Sequence, residues 1–365
     1  MMGRGEEPLR ILFDGYWWVD GPPSNSHVMR ETIAEWLRQF PQDRLAVVVP
    51  EKHRAAVAAE SAGRYAVLGT RVWPHGASNM TALSELAFRW EPDVVYTQNY
   101  CVPVAPRGTL TVVFLHDVLF RTNPEWFTVA ERLYFSPMPR LARRADLVLT
   151  SSATEAGRIR RETGATDIVP VGIGMSTELQ EAAPSRPEAI PACSPFLLTV
   201  GRLNVRKNLG GVIAAALTSG AISPARPLVV VGGADGKAEE MSPEVDAAMA
   251  SGAIRFTGHV TDGELVWLYK HTDLFLFLSR GEGYGMPPVE ARFFGAPCLV
   301  SDLDVLREIL PDDIARVHPD DVDAAANAIR ELLGDQKTPR GLIDPPSWSQ
   351  TVRTTREAIL ERRGR

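Results

Sequence analysis

The sequence has 365 residues, a formal net charge of −6 at neutral pH and 23% charged residues. This acidic balance argues against nucleic acid as a partner, because nucleic-acid binding favours strongly basic domains. The three cysteines, Cys101, Cys193 and Cys298, have neither disulfide-framework nor zinc spacing, which indicates a reducing compartment. The opening stretch lacks the apolar segment of a signal peptide, and no apolar run approaches the roughly 20 residues of a membrane span. We therefore expect a soluble, cytoplasmic protein of about two domains.

Apolar runs and helical patterns alternate through the first half of the chain. Continuous apolar runs such as LAVVVP are typical of parallel strands that are buried on both faces of a sheet. The alternation predicts a doubly wound α/β domain over residues 1–179. The predicted strands are 9–14, 45–50, 94–100, 111–117, 146–152 and 168–174, and the predicted helices are 26–40, 128–144 and 153–163.

A second α/β series follows residues 180–195, which contain four prolines and have no periodicity. We predict a linker there, a second Rossmann-like domain over 196–346, and a final helix over 347–365. The second domain has predicted strands at 196–202, 227–233, 254–260, 274–278 and 297–302, with helices at 208–218, 243–250, 262–270, 287–294 and 320–333.

The glycine-rich turn G-E-G-Y-G at 281–285 follows the apolar run 274–278 and precedes a predicted helix. Strand, glycine turn and helix together form a typical anion site, made of backbone N–H groups and the positive end of a helix dipole. Glu282 and Glu290 are eight residues apart, so both carboxylates could accept hydrogen bonds from a hydroxyl-rich ligand. The alternative is that Glu282 is a solvated loop acid and Glu290 a surface residue of the helix.

A basic loop follows the first strand of the second half. Arg202 and Lys207 lie at the carboxyl end of that strand, where open α/β sheets bind ligands. A guanidinium and an ammonium suit a diphosphate, although an ordinary solvated loop is the alternative. A nicotinamide-dependent dehydrogenase is a weaker alternative, because the G-x-G-x-x-G motif of that class follows the first strand of a βαβ unit.

The motifs G-R-x(4)-K-N, G-H-V at 258–260 and E-G-Y-G-M-P-P-V-E at 282–290 resemble the donor half of retaining glycosyltransferases of family 4. The last motif resembles a form common among bacterial mannosyl- and rhamnosyltransferases. The resemblance implies the GT-B fold: two Rossmann-like domains that face each other across a cleft, with the C-terminal helix crossing back to the N-terminal domain. It also implies that the first domain binds the acceptor and the second binds a nucleotide-sugar donor.

The same resemblance assigns roles to individual residues of the second half. It implies that Glu282 contacts the donor sugar, that Glu290 binds the ribose, and that Arg202 and Lys207 hold the diphosphate. The backbone at Val260 would meet the base. The backbone N–H groups that would cradle sugar and phosphate belong to Gly283, Tyr284, Gly285 and Met286.

In the first half, His116 ends a predicted strand and resembles the family's histidine beside the reacting sugar. A histidine bonded within the sheet edge is the alternative. The loop after the first strand lacks the family's glycine pair, so we expect Ser24, Asn25 or Ser26 to cap the next helix and present N–H groups instead.

Three aromatic residues precede that loop: Tyr16, Trp17 and Trp18. They could stack on an acceptor sugar, or at least two of them could pack in the core. The arginines within 140–161 could contact an anionic membrane surface, or be ordinary solvated residues. Asp302 and Asp304 form a D-x-D pattern that we interpret as surface. We expect no metal and no cofactor.

The predicted function is retaining transfer of a hexose, with mannose from GDP-mannose the first choice, to a hydroxyl of a glycan or oligosaccharide. Alternatives with the same chemistry use a UDP- or dTDP-sugar and a lipid or small-metabolite acceptor. A phosphorylase or epimerase on the same fold and a non-catalytic nucleotide-sugar-binding protein also remain open. The oligomeric state is left open.

Overall fold

The structure, a computed structural model, describes residues 8–188, 190, 195–233, 243–334, 343–344 and 346–364. The chain divides into two compact units. Unit 1 comprises residues 1–122, 129–176 and 346–365, and unit 2 comprises residues 123–128 and 177–345. Each unit is an α/β structure built on one parallel sheet.

The described part of unit 1 contains a seven-stranded sheet in the order β3-β2-β1-β4-β5-β6-β7, and every neighbouring pair is parallel. The central strands β4 and β5 are buried along their whole length, as their continuous apolar sequences predict. The strands are β1 (Arg10–Asp14), β2 (Arg44–Pro50), β3 (Ala66–Thr70), β4 (Val94–Gln98), β5 (Leu110–Leu115), β6 (Leu147–Thr150) and β7 (Ile168–Pro170).

Helices connect these strands and make parallel crossovers possible. They are α1 (Pro23–Gln39), α2 (Arg54–Ser61), α3 (His75–Ser78), α4 (Ser84–Trp90), α5 (Leu119–Thr122), α6 (Val129–Phe135), α7 (Met138–Ala142) and α8 (Ala153–Thr163). The one continuous helix predicted over 128–144 was wrong. Pro137 lies between α6 and α7, and the residue before a proline is disfavoured in the α conformation, so the helix stops before it. Pro139 is tolerated in the first turn of α7.

Unit 2 follows the same plan with six described strands in the order β10-β9-β8-β11-β12-β13, again all parallel. The strands are β8 (Leu197–Val200), β9 (Leu228–Val231), β10 (Ile254–Gly258), β11 (Leu274–Phe277), β12 (Cys298–Ser301) and β13 (Ala315–Val317). The helices are α9 (Thr177–Glu181), α10 (Leu209–Ser219), α11 (Pro243–Ser251), α12 (Asp262–His271), α13 (Met286–Phe293), α14 (Asp304–Ile309) and α15 (Val322–Gly334).

The last helix, α16 (Trp348–Arg363), belongs to unit 1 and packs against α1. Arg356 is buried and forms two hydrogen bonds to the buried carboxylate of Asp43, at 3.1 Å and 3.3 Å. The Trp348 indole N–H donates to the Met175 carbonyl at 3.1 Å. The end of the chain is thus built into the first α/β unit.

The proline-rich segment predicted as a linker begins within α9 and continues along unit 2. The Ser185 N–H donates to the Gly263 carbonyl at 2.9 Å, and Ile190 is buried in the unit 2 core. Cys193 lies outside the described residues. Sequence patterns also missed the edge strands β3 and β13, whose alternating or short apolar segments carry a weak signal.

Both sheets have a topological switch point, where successive connections leave in opposite directions. It lies between β1 and β4 in unit 1 and between β8 and β11 in unit 2. Ligands of open α/β sheets bind outside the carboxyl ends of the strands at such a point. The loops after these four strands are therefore where each unit is expected to carry its site.

Among the described residues, no helix combines the length and apolar character that crossing a membrane requires. Five arginines of the basic stretch are exposed: Arg140, Arg143, Arg144, Arg160 and Arg161. Arg158 instead forms an ion pair with the buried Glu155. The membrane contact expected for this stretch stays a prediction. The D-x-D pattern is on the surface, with Asp302 paired to Arg307 and Asp304 opening α14.

Candidate active site

The glycine turn after β11 meets the basic loop after β8 at the switch point of unit 2. Oε1 of Glu282 lies 2.7 Å from Nζ of Lys207, and Oε2 lies 2.8 Å from Nη1 of Arg206. Arg206 also donates to the Gly281 carbonyl at 2.9 Å. One carboxylate therefore bridges two cations that come from a loop some 75 positions earlier in the chain.

Glu282 is a buried ionised group. Only 5% of the residue is exposed, so the alternative of a solvated loop acid is wrong. Burial by itself would raise its pKa, but Arg206 and Lys207 outweigh this and lower it to about 2. At neutral pH the carboxylate is charged and can act only as a hydrogen-bond acceptor. With Lys207 and Arg206 it forms a cluster of net charge +1, which favours an additional anion.

The turn depends on the conformation and size of its glycines. Gly285 has φ of +106°, a region that favours glycine, and a Cβ there would approach Leu306 to 2.7 Å. This residue is the N-cap of α13, which begins at Met286 with prolines in its first turn. The backbone N–H groups near the helix start and the positive end of its dipole therefore follow Glu282 directly in the chain.

The basic loop is held from both sides of Lys207. The Asn204 side chain accepts the Lys207 backbone N–H at 3.2 Å, and Nζ of Lys207 lies 4.7 Å from the centre of the Phe277 ring. A pocket lies at this point, and Arg202, Lys207 and Ser279 are among its lining residues. Arg202 and Lys207 thus share one cavity, as the strand-end argument predicts.

Arg206 is the residue that sequence reasoning missed in this loop. The motif placed the guanidinium role on Arg202, and the structure shows that Arg206 also brings a guanidinium to Glu282. Arg206 stands beside Lys207 in the short 3-10 turn 205–207, which orients both side chains toward the glycine turn. The adjacent pair of basic residues, Arg206 and Lys207, was the feature of the sequence from which this role of Arg206 could have been predicted.

Glu290 lies on α13 and is half-buried, so it is not an ordinary surface residue. Its Oε2 accepts a hydrogen bond from the buried Tyr269 hydroxyl at 2.9 Å. Burial raises the pKa of Glu290 to about 7, even though the Tyr269 hydrogen bond and Lys207 lower it. Val260 follows the carboxyl end of β10 and packs partly buried against the unit 2 core.

In unit 1, His116 follows β5 and is oriented by Gln98 at the end of β4. Nε2 of His116 lies 2.8 Å from Oε1 of Gln98, and Nε2 of Gln98 donates to the Asn25 carbonyl at 3.1 Å. Because the Gln98 amide N–H₂ is directed to Asn25, its oxygen faces His116, and the His116 proton must lie on Nε2. His116 thus forms its hydrogen bond with the end of the neighbouring strand β4, which is the alternative of a histidine bonded within the sheet edge.

A second histidine, His75, was absent from the site predicted from the sequence. It contacts the end of β1 at the switch point of unit 1. Nε2 of His75 is 2.7 Å from Oδ2 of Asp14, the last residue of β1, and Nδ1 accepts the Trp17 indole N–H at 3.1 Å. Since an indole can only donate, Nδ1 carries no proton and the His75 proton faces Asp14. Asn79 and the Gln98 backbone N–H also donate to Asp14. Burial raises the pKa of Asp14, but His75, Asn79 and the Tyr16 backbone N–H outweigh this and lower it.

The loop after β1 differs from the expectation in two respects. Tyr16 and Trp18 are buried, so only the half-buried Trp17 keeps access to solvent. Helix α1 begins at Pro23 with no side-chain cap, so the capping role expected of Ser24, Asn25 or Ser26 was wrong. Asn25 instead holds Gln98 through its carbonyl oxygen, and Ser24 lies exposed in the first turn.

The chain is similar to known proteins. Residues 183–344, most of unit 2, match the family model of glycosyl transferases group 1. O-antigen chain mannosyltransferase B of Escherichia coli is 28% identical over 286 residues, which cover 74% of each chain. Serotype-specific mannosyltransferase WbdA of Escherichia coli is 26% identical over 91% of this chain, which spans 41% of that longer protein. Unit 2 is therefore similar to the domain of this family.

Solved structures show the fold. Sucrose-phosphate synthase from Thermosynechococcus elongatus superposes with a TM-score of 0.66 at 17% identity, covering 96% of this chain and 94% of that one. The HepE protein of Anabaena, solved in complex with UDP-glucose, superposes with a TM-score of 0.62 at 20% identity, covering 97% and 95%. The two α/β units are those of the GT-B fold.

Proposed function

We propose that the protein is a retaining glycosyltransferase that moves mannose from GDP-mannose to a hydroxyl of a glycan or oligosaccharide. The observation that carries the proposal is the buried Glu282 carboxylate between Lys207 and Arg206, next to the glycine turn and the start of α13. The positive charge of this arrangement suits a diphosphate, and the two carboxylate oxygens can accept hydrogen bonds from sugar hydroxyls. Both groups lie in one site at the switch point.

On this proposal the basic loop binds the leaving group. Lys207 and Arg202, which line one cavity, and the N-terminus of α13 stabilise the negative charge that develops on the diphosphate. Glu282 accepts hydrogen bonds from the transferred sugar while Arg206 keeps it oriented. Glu290 accepts the ribose hydroxyls, and the backbone at Val260 meets the base.

The proposed reaction breaks the bond between the anomeric carbon and the diphosphate oxygen. The acceptor oxygen forms its bond to the same carbon on the same face, which retains the configuration. The proton of the acceptor hydroxyl passes to the leaving phosphate oxygen. His116, which Gln98 orients, contacts a hydroxyl of the reacting sugar. The proposal requires no resident metal and no cofactor.

Mannose is the first choice because mannosyltransferases of Escherichia coli are among the relatives of this chain. The second choice is a UDP-sugar, because the structurally similar Anabaena protein was solved in complex with UDP-glucose. Both donors place the same diphosphate against Lys207, so the choice depends on the base and on the sugar.

Thermal unfolding against a panel of nucleotides tests the proposal. A ligand at about 100 times its dissociation constant stabilises the folded state by roughly 2.7 kcal/mol. At about 2–4 °C per kcal/mol, the midpoint should rise by about 5–10 °C. We expect GDP and GDP-mannose to give the largest shift, and Lys207→Ala to reduce it. If no nucleoside diphosphate or its sugar raises the midpoint, the proposed function is wrong.

Two further outcomes separate the alternatives. If the unfolding midpoint rises only with UDP- or dTDP-linked ligands, the donor is a UDP- or dTDP-sugar and the proposed reaction is otherwise unchanged. Stabilisation by a nucleotide sugar without release of nucleotide, in the presence of a broad set of sugar acceptors, would identify a non-catalytic binding protein. Stabilisation by NAD(H) alone would favour a dehydrogenase.

A further inference from the structure

Trp73 is an exposed aromatic residue held on a rigid support. The residue is 82% exposed, the largest value among the exposed large apolar residues in the described part of the chain. It lies in the loop after β3, at the carboxyl edge of the unit 1 sheet. The indole is therefore accessible to a ligand, and binding would remove its apolar surface from water.

The supports on both sides of Trp73 are well ordered by hydrogen bonds. The Val72 N–H donates to Oγ1 of Thr70 at 3.1 Å, and the Ser78 N–H donates to the Pro74 carbonyl at 2.9 Å. Two residues after Trp73, His75 is almost fully buried against Asp14. The backbone on both sides of Trp73 is therefore already held in place before a ligand binds. This reduces the entropic cost of binding.

Polar groups lie on the neighbouring loops of the same edge. The strand order β3-β2-β1 places the loops after these strands side by side. The loop after β1 contributes Asp20, which accepts hydrogen bonds from Lys52 and His53 of the turn after β2. The side chains of Asp20 and Lys52 are 58% and 68% exposed. This edge thus combines one aromatic surface with charged hydrogen-bonding groups.

A sugar ring matches this combination better than a protein partner does. A pyranose has an apolar face of C–H groups and a rim of hydroxyls, which suit an indole and charged side chains respectively. A stable protein interface buries about 800 Å² on each side. The large apolar groups exposed nearby on these loops are Trp73 and Val19, whereas Phe88 belongs to α4 and Leu133 to α6.

The position of Trp73 bears on the length of the acceptor. His75, two residues from Trp73, contacts Asp14 at the end of β1, and β5 with His116 is two strands farther along the sheet. Two spacings of about 4.8 Å make about 10 Å between those strand ends. A ligand that reaches both points must extend beyond one sugar ring.

We propose that Trp73 is a remote acceptor subsite that stacks on a pyranose ring, so that the acceptor is an oligosaccharide and not a single sugar or small metabolite. This inference rests on the proposed glycosyl transfer, with His116 beside the reacting sugar. The Trp17 indole N–H donates a hydrogen bond to His75 and so helps to hold the segment that follows Trp73. Asp20 and Lys52 hydrogen-bond the ring's hydroxyls.

The test measures equilibrium binding of methyl α-mannoside and of α-linked manno-di-, tri- and tetrasaccharides in the presence of GDP, by isothermal titration. For the wild type we expect the dissociation constant to fall by about tenfold or more, about 1.4 kcal/mol, as the chain lengthens. Trp73→Ala should abolish that fall without changing binding of the monosaccharide. Trp73→Tyr should restore most of it, because an aromatic face returns.

Phe88→Ala is the matched control, since it removes an exposed aromatic side chain from another surface of unit 1 and should keep the length dependence. The inference is overturned if the wild type binds none of these saccharides, if affinity does not depend on length, or if Trp73→Ala binds the whole series like the wild type. Stabilisation by GDP and GDP-mannose does not involve Trp73. A failure of the proposed donor function would therefore appear in that measurement, separately from this one.

Discussion

The buried Glu282 and the partly buried Lys207 form an ion pair across the switch point of unit 2, with 2.7 Å between Oε1 and Nζ. The pair joins the loop after β8 to the glycine turn after β11, which are adjacent strands at the centre of the sheet. Arg206 binds the second carboxylate oxygen, so the acid neutralises one of two neighbouring cations. The remaining positive charge is what the proposed donor diphosphate would meet.

Removal of the ammonium should weaken transfer. Lys207→Ala is expected to reduce kcat/KM at least tenfold, because a lost charged hydrogen bond costs about 1.5–3 kcal/mol and 1.4 kcal/mol is one decade. Glu282→Ala should have an effect of the same size. Lys270→Ala, which removes an exposed lysine of α12, is the control and should retain activity. Wild-type rates in Lys207→Ala and Glu282→Ala would show that the site lies elsewhere.

The charge on Glu282 should also stabilise the fold. Glu282→Gln keeps the shape but leaves Lys207 buried without its carboxylate, which is expected to cost about 3 kcal/mol at pH 7. The folded-state pKa of about 2 is below the ordinary value of 4.5, so the contribution is full above pH 4.5 and is lost as pH falls through about 2. Urea unfolding at pH 7 and pH 3 measures it. Glu331→Gln on the exposed face of α15 is the control. An equal loss at both pH values would contradict the charge argument.

Donor binding should depend on pH through Glu290. Its pKa is raised to about 7, and ribose hydroxyls need the ionised form as their acceptor. The dissociation constant for GDP-mannose should therefore rise by up to tenfold per pH unit below 7 and be constant above it. Titration from pH 5.5 to 8.5 tests this. Glu290→Gln should bind weakly with no such dependence. Tyr269→Phe removes a hydrogen bond that lowers the pKa, so its midpoint should move to higher pH. A flat wild-type profile would refute the role.

Gln98 should act as a positioning residue for His116. Gln98→Met has a similar length but cannot accept the His116 N–H, so the imidazole loses its fixed orientation. We expect kcat to fall about tenfold, the cost of one hydrogen bond of about 1.4 kcal/mol, with the donor dissociation constant unchanged. His116→Ala should lower kcat further. A change in donor affinity with an unaltered kcat would point to a structural role for Gln98 instead.

The C-terminal helix should contribute strongly to the stability of unit 1. The Asp43 side chain is fully buried and, besides the bonds from Arg356, accepts the Trp36 indole N–H and the Leu9 backbone N–H. Arg356→Ala leaves this carboxylate without its cation, which typically costs about 3–5 kcal/mol. Denaturant unfolding should show this loss, whereas Arg353→Ala on the exposed face of α16 should change stability by less than about 0.5 kcal/mol. Equal midpoints for the two variants would contradict the prediction.

Sequence patterns predicted most of the central strands because their signal is local. Continuous apolar runs identify β1, β2, β4, β5, β8, β9 and β11 within a few residues at each end. The glycine turn at 281–285 and its helix were also visible, since Gly285 and the prolines after it mark a helix start in the chain itself. Edge strands such as β3 and the break between α6 and α7 were not identified.

What the sequence by itself determined is therefore the alternation of strands and helices, the glycine turn, and the presence of acids and bases near strand ends. The tertiary structure alone decided which of them meet. Arg206 binds Glu282 over 76 positions, and His75 binds Asp14 over 61. Periodicity and turn chemistry act over a few residues, whereas these contacts depend on which strands become neighbours in the sheet. Burial then sets the charges, because the same side chains in water would carry neither the pKa of about 2 at Glu282 nor that of about 7 at Glu290.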